Sequence, residues 1–134
     1  MVMVIVDSDV WSEVFRSRAG KASKYFDKLT KLIEDEDVVF LGAIRQEVLS
    51  GIKSKEQFDS IKKVLRSFLD VSLPEEIYEI AASFYNICRS NGVQGSHTDF
   101  LICACSVFYK LEILSNDRDY IHYSKHIPIK VCKL

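Results

Sequence analysis

The sequence predicts an α/β fold of three layers, α/β/α, around a central, mainly parallel sheet of four or five strands. Short runs of β-branched and other apolar residues alternate with longer segments of helical periodicity, which is typical of strands buried on both faces. Only 5 Gly and 2 Pro occur in 134 residues, which favours long helices over a many-turned β-barrel. Hydrophobic residues are 48% and charged residues 28% of the chain, which excludes an intrinsically disordered protein.

The length is that of one domain, and we expect a single domain over residues 1–134. Lys and Arg number 18 and Asp and Glu 19, giving a net charge of -1. This balance excludes a strongly basic DNA-coating protein, but not a nucleic-acid enzyme with a local basic face. The start, MVMVIVDSDV, lacks the basic segment of a signal peptide, and no apolar run reaches the roughly 18 residues that span a bilayer. We therefore expect a cytoplasmic protein with no membrane contact.

The N-terminal half is predicted to contain two strands and four helices. Residues 2–6 are continuously apolar and end at Asp7, and Ser8 or Asp9 can cap the helix that follows. The next predicted elements are a helix over 21–35, a strand over 38–41, a helix over 43–52 and a helix over 55–69. In the last of these helices, the helical spacing places Val64 and Leu69 on the buried face.

The C-terminal half is predicted to contain two further strands. Pro74 is well placed to begin a helix that Gly92 ends, and Thr98 is expected to cap a very apolar helix over 99–109. Strands are predicted at 112–115 and 127–131. The predicted order of the whole chain is β-α-α-β-α-α-α-α-β-α-β.

The four cysteines have no metal-site spacing. They are Cys88, Cys103, Cys105 and Cys132. Cys103 and Cys105 are one residue apart within a predicted helix, which directs them to different faces. We expect buried, reduced thiols.

Carboxylates follow the predicted strands from distant parts of the sequence. Asp7 follows the first strand, Asp117 and Asp119 follow the third, Asp99 opens the helix before the third strand, and Glu47 lies one turn into the helix after the second. Sites in open parallel sheets lie beyond the carboxyl ends of the strands. We therefore expect these side chains to converge on one edge of the sheet.

The local settings of these carboxylates indicate a metal site. Asp7 abuts an apolar strand and Asp99 precedes an apolar run, and a carboxylate in such a place is costly unless something compensates its charge. Mg²⁺ or Mn²⁺, which prefer oxygen ligands, would do so. The alternative is that each Asp caps a helix or interacts with its dipole. That alternative explains one Asp well but four on the same edge poorly.

Four ordered segments resemble the signature segments of the PIN domain family, and the compact form resembles its VapC-type toxins. They are residues 2–8, 46–51, 98–104 and 114–119. The resemblance implies a PIN-like fold and a Mg²⁺- or Mn²⁺-dependent endoribonuclease. Residues 94–98 lack the proline common in the family, and Tyr120 stands where Phe is common. Neither departure removes a candidate ligand, so they bear on substrate detail.

The resemblance also assigns roles to individual residues. It implies a catalytic quartet of Asp7, Glu47, Asp99 and Asp117. Asp7, Asp99 and Asp117 are expected to hold the metal, and Glu47 to bind a second metal or position water. The residues expected to support these ligands are Asp119, Ser115 and Asn116; the last two could instead cap a turn.

Basic residues are candidates for contacts with the RNA backbone. The candidates are Arg16, Lys21, Lys24 and Arg118. Their alternative role is that of a solvated charged face.

The resemblance implies an RNA substrate, a cognate VapB-like antitoxin and a homodimer. The helices predicted at 21–35 and 55–69 are candidate walls of the antitoxin groove. Three alternatives remain open: a catalytically inactive PIN scaffold, a small α/β binding module of response-regulator or flavodoxin type, and a phosphatase or DNA nuclease that uses the same metal chemistry. The binding module is disfavoured because its phosphate-binding turn after the first strand is missing.

Overall fold

The computed structural model describes residues 2–16 and 24–134, and its elements follow the predicted order. The elements are β1 (Val4–Val6), α1 (Ser8–Arg16), α2 (Lys24–Glu34), β2 (Val38–Val39), α3 (Gly42–Leu49), α4 (Lys55–Leu65), α5 (Glu75–Ser90), α6 (His97–Tyr109), β3 (Glu112–Leu114), α7 (Asp119–Tyr123) and β4 (Lys130–Val131). The predicted three-layer α/β class is confirmed. The predicted start of the second helix, at residue 21, lies outside the described residues.

The sheet of the described residues has four parallel strands in the order β2-β1-β3-β4. β1 is central, and all three of its residues are buried. Ile5 is in register with both Val39 and Ile113. The chain leaves β1 towards β2 on one side, whereas β3 leads to β4 on the other. The neighbouring strands β1 and β3 therefore flank the point where the strand order reverses.

Beyond β2, where a fifth strand would lie, the chain forms a single parallel bridge between Phe40 and Asp70. Arg45 secures this corner, because its guanidinium donates to the carbonyl oxygens of Leu65 and Phe68 and to Asp70. Among the described residues, the sheet therefore has four strands and not five.

Two local predictions are wrong. Leu69 is 90% exposed and Val64 is 49% exposed. α4 ends at Leu65, so Leu69 lies beyond the helix whose spacing placed it inward.

Ser96, and not Thr98, caps α6: the Ser96 hydroxyl accepts from the backbone N–H of Asp99, and the helix begins at residue 97.

α6 and the strands form the centre of the core. The four cysteines are buried and free, as predicted. α6 is buried on all sides over residues 102–106, which explains why Cys103 and Cys105 are both in the core. Within the described ranges, no helix has both the length and the apolar character needed to cross a lipid bilayer.

Candidate metal-binding active site

The carboxyl ends of β1 and β3 lie side by side at the centre of the site. The backbone N–H of Asp7 donates to the carbonyl oxygen of Leu114 over 2.9 Å. The parallel register of the two apolar strands, with Val6 opposite Leu114, brings both strand ends to the same level. Residues 7 and 115 therefore leave the sheet together, into the crevice that forms where the strand order reverses.

The hydroxyl of Ser115 connects three acidic residues. Its Oγ lies 3.0 Å from Asp7 Oδ2 and 3.2 Å from Asp9 Oδ2. It also accepts a hydrogen bond from the backbone N–H of Asp117 over 3.0 Å. A serine hydroxyl has one proton to donate, so it cannot donate fully to both carboxylates. Each carboxylate also accepts from a backbone N–H, that of Ser8 for Asp7 and that of Asn116 for Asp9.

Asp7 is buried, with 7% of its surface exposed. Burial is the main cause that raises the pKa of Asp7 from 3.8 to about 7, and the charge of Asp9 is the next. The charge of Asp99 acts in the same direction, which places Asp99 within electrostatic reach. Hydrogen bonds from the Ser8 N–H and from Ser115 act in the opposite direction. Without a cation, Asp7 in the folded protein therefore keeps its proton to a higher pH than an exposed Asp does.

Asp9 belongs to the site, although from the sequence we expect it only to cap a helix. Its Oδ2 accepts hydrogen bonds from the backbone N–H of Asn116 over 3.0 Å and from the Ser115 hydroxyl. Burial raises the pKa of Asp9. The pattern that could have identified it is the pair of acidic residues, 7 and 9, at the end of a buried strand.

A second acidic group combines α6 with the loop that follows β3. Asp99, Asp117 and Asp119 each offer a carboxylate oxygen, and these oxygens all lie within 4.8 Å of one another. The Ser96 cap fixes the first turn of α6, from which Asp99 projects. Asp117 Oδ1 accepts from the backbone N–H of Asp119 over 2.9 Å. The loop and the helix together therefore form a compact set of oxygen donors.

This grouping differs in one member from the expected ligand set. Asp99 and Asp117 are in it, and the third member is Asp119, which we expected to support the ligands. Asp7 lies next to the group, joined to it through Ser115 and the backbone of Asp117. Burial and the charges of Asp117 and Asp99 raise the pKa of Asp119.

Glu47 borders the site through Ser8. The Ser8 hydroxyl donates to Glu47 Oε1 over 3.0 Å, which connects α3 to the start of α1. Glu47 is exposed and lies outside the group of three carboxylates. Ser8, whose backbone N–H donates to Asp7, therefore links the Glu47 carboxylate to the site.

Asn116 connects the loop after β3 to α2. The buried Tyr25 donates its phenolic hydrogen to Asn116 Oδ1 over 3.0 Å. The backbone N–H of Asn116 donates to Asp9, so Asn116 is hydrogen-bonded to both α2 and α1. These contacts fix the loop that carries Asp117 and leads into α7 at Asp119.

Two tyrosines of α7 contact Asp99. Tyr123 Oη lies 2.7 Å from Asp99 Oδ2, and Tyr120 Oη lies 3.4 Å from Asp99 Oδ1. Both rings are fully buried. Burial, followed by the hydrogen bond to Asp99, raises the pKa of Tyr123, so its phenol stays a proton donor.

The site carboxylates have no ion-pair partner among the described residues. The ion pairs of the described residues lie outside the site; they are Lys31–Asp35, Arg45–Asp70 and Lys55–Asp59. Arg16, Lys24 and Arg118 are exposed, and Lys21 lies outside the described residues. A group of oxygen donors with uncompensated negative charge is the donor set that hard divalent cations prefer. The residues present therefore fit Mg²⁺ or Mn²⁺.

The same fold occurs in several solved structures. FitAcB from Neisseria gonorrhoeae superimposes with a TM-score of 0.74 and 17% identity, over 98% of this chain and 97% of that chain. VapBC2 from Rickettsia felis bound to a promoter DNA fragment gives 0.79 and 12%, over 98% of both chains. A toxin-antitoxin complex from Klebsiella pneumoniae gives 0.62 and 15%, over 86% of this chain and 87% of that chain.

The sequence itself also identifies a family. No curated protein matches the chain significantly. The family model of the PIN domain matches residues 4–126, which include every element from β1 to α7 and all of the carboxylates described above. The chain therefore belongs to the PIN domain family.

Proposed function

We propose that the protein is a Mg²⁺- or Mn²⁺-dependent endoribonuclease and the toxin of a VapBC-type toxin–antitoxin pair. One observation carries the proposal. Acidic side chains from β1, α6 and the loop after β3 meet at the edge where the strand order reverses, and three of them place oxygens within 4.8 Å of one another. An edge of this kind binds ligands in open α/β sheets.

Asp99, Asp117 and Asp119 would hold the cation, with Asp7 beside them. When bound, the cation supplies a positive charge for a phosphate oxygen and lowers the pKa of a water molecule towards neutrality. The protein residues supply the rest. Through the cation that they would hold, the carboxylates define where the scissile phosphate lies. The Ser115 hydroxyl and the Asn116 backbone fix the loop that carries Asp117 and leads into α7 at Asp119.

Glu47 is proposed to orient a water molecule at the rim. Its Oε1 accepts from Ser8, and a carboxylate has further lone pairs that can accept from water. Removing Glu47 should therefore lower the rate more than the affinity for the cation.

The proposed substrate contacts are electrostatic. Arg118 lies between two of the carboxylate-bearing residues and is exposed, as are Arg16 and Lys24. Cationic side chains near a cleavage site bind the phosphates that flank the scissile bond. Lys21 completes the proposed set.

An antitoxin of VapB type and a second copy of this chain are the proposed protein partners. The similarity to chains from the FitAcB, VapBC2 and Klebsiella pneumoniae toxin-antitoxin structures supports a partner of this kind. α2 and α4 are the proposed walls of its groove. α4 also lines, with α1 and α3, a cavity of about 460 Å³ that includes Phe15, Val48 and Ile61.

The test is cleavage of total RNA by purified protein with Mg²⁺, with Mn²⁺ and with EDTA. We expect cleavage with either cation, none in EDTA, and none by Asp99→Asn. Asp59→Asn is the control, since Asp59 is exposed on α4. A parallel assay with single-stranded DNA as the substrate distinguishes the proposed ribonuclease from a DNA nuclease. Equal cleavage in EDTA would exclude the metal mechanism, and an inactive wild-type protein that still binds partners would favour the scaffold alternative.

A further inference from the structure

The Asp99 carboxylate is held by a buried phenol from another element. Tyr123, on α7, places Oη 2.7 Å from Asp99 Oδ2. The bond at Tyr120 is longer, at 3.4 Å. A hydrogen bond from a neutral donor to a carboxylate is strongest near the shorter of these distances. Tyr123 is therefore the principal partner of Asp99 in this pair.

The Tyr123 ring has little room to move. Its centroid lies 4.8 Å from that of Phe100 and 5.5 Å from that of Tyr120. The ring is fully buried. Packed aromatic neighbours on two sides fix the direction in which the phenol points.

Gly95 leaves the space that Tyr123 occupies. A Cβ atom at position 95 would collide with Tyr123 Oη, and would lie 2.8 Å from its Cζ and 2.9 Å from Phe100 Cε2. Carbon atoms do not approach so closely without displacement. Any residue other than glycine would therefore force a displacement at its contact with the phenol that bonds Asp99.

We infer that Tyr123 is a positioning residue that orients the Asp99 carboxylate for the cation, and that Gly95 is required to seat it. This inference rests on the proposed function. The phenol occupies one lone pair of Oδ2, which fixes the rotation of the carboxylate and leaves its other lone pairs directed at the acidic group. Hydrogen-bond donors behind a metal ligand act in this way.

The test compares Tyr123→Phe with Tyr78→Phe, which removes an exposed tyrosine hydroxyl on α5. Calorimetry with Mn²⁺ measures affinity, RNA cleavage measures kcat and KM, and melting in EDTA measures folding. We expect Tyr123→Phe to bind Mn²⁺ about 10- to 100-fold more weakly, the usual cost of losing such a partner. Tyr78→Phe should stay near wild type in Mn²⁺ affinity and in kcat, and KM should change little in both variants.

Gly95→Ala is the second, independent variant. It should weaken Mn²⁺ binding when Tyr123 is present and weaken it less in the Tyr123→Phe background, because both changes then act on the same bond. Wild-type Mn²⁺ affinity in a folded Tyr123→Phe protein would overturn the inference while leaving the proposed function intact. A wild-type protein that neither binds Mn²⁺ nor cleaves RNA would overturn both.

Discussion

Asp7 and Ser115 are 108 residues apart in sequence, and their side chains meet with Asp7 Oδ2 3.0 Å from the Ser115 hydroxyl. The contact arises because the parallel strands β1 and β3 end at the same level. It joins the buried carboxylate of the first strand to the loop that carries Asp117. The Ser115 hydroxyl is thus one of the groups that fix the internal geometry of the acidic site.

Replacing Ser115 by Ala should destabilise the metal-free protein. The change leaves the Asp117 N–H without the hydroxyl that accepts its hydrogen bond. It also removes the hydroxyl proton that lies between the Asp7 and Asp9 carboxylates. A hydrogen bond to a charged group contributes about 1.5–3 kcal/mol, so we expect a loss of that order in urea denaturation with EDTA. Ser115→Thr, which keeps the hydroxyl, is the control. Equal losses in both variants would show that the hydroxyl is not the cause.

The metal-free protein should lose stability as the pH rises from about 4 to about 7. The folded state raises the pKa of Asp7 from 3.8 to about 7, mainly through burial. The folded state therefore holds a proton that the unfolded chain releases, and this stabilisation is complete below pH 3.8 and gone above about 7. At about 1.4 kcal/mol per pKa unit, it amounts to about 4 kcal/mol.

Asp7→Asn is the variant that isolates this effect. Its free energy of unfolding in EDTA should vary less between pH 4 and 7 than that of the wild type, so that the variant is relatively more stable at the upper end. Asp59→Asn, at an exposed position, should follow the wild type. Parallel pH curves for wild type and Asp7→Asn would contradict the assigned burial of this charge.

Asp9 should matter through its hydrogen bonds more than through its charge. Its Oδ2 accepts from both Asn116 and Ser115, and an Asn side chain keeps an accepting oxygen while losing the charge. We expect Asp9→Ala to weaken Mn²⁺ binding about 10-fold and Asp9→Asn to weaken it less. Calorimetry decides between the roles: equal effects of the two substitutions would mean that the charge is what counts.

Arg118 should contribute to RNA binding and little to the chemical step. It is exposed in the loop between Asp117 and Asp119. Arg118→Ala should raise KM and reduce the slope of log affinity against log salt by about 1, the effect of losing one phosphate contact. Arg66→Ala, exposed at the end of α4, should change neither quantity. A fall in kcat with unchanged KM would instead place Arg118 at the reacting phosphate.

The order of the elements could be predicted because each strand is an uninterrupted apolar run and each helix has its own periodicity. Residues 4–6 are buried on both faces, as their β-branched sequence requires. Gly92, with φ of 76°, ends α5 as predicted. The placement of carboxylates after β1 and β3 followed from parallel topology alone, since both strands end at the same edge.

The contacts between distant side chains could not be predicted. The hydrogen bonds from the Tyr123 phenol to Asp99 and from the Asn116 N–H to Asp9 depend on the angle at which α7 and the loop after β3 leave the sheet. No local spacing encodes that angle. The cap of α6 was also ambiguous, because Ser96 and Thr98 are both good caps and only the path of the chain selects one.

The central claim is that Asp99 of α6 and the carboxylates beyond β1 and β3 form one divalent-cation site. Titration calorimetry with Mn²⁺ tests it most directly, on the wild type, on Asp99→Asn and on the exposed control Asp59→Asn. The account predicts saturable binding by the wild type and by Asp59→Asn, and its loss in a folded Asp99→Asn protein. Unchanged binding by Asp99→Asn, or no binding by the wild type, would contradict it.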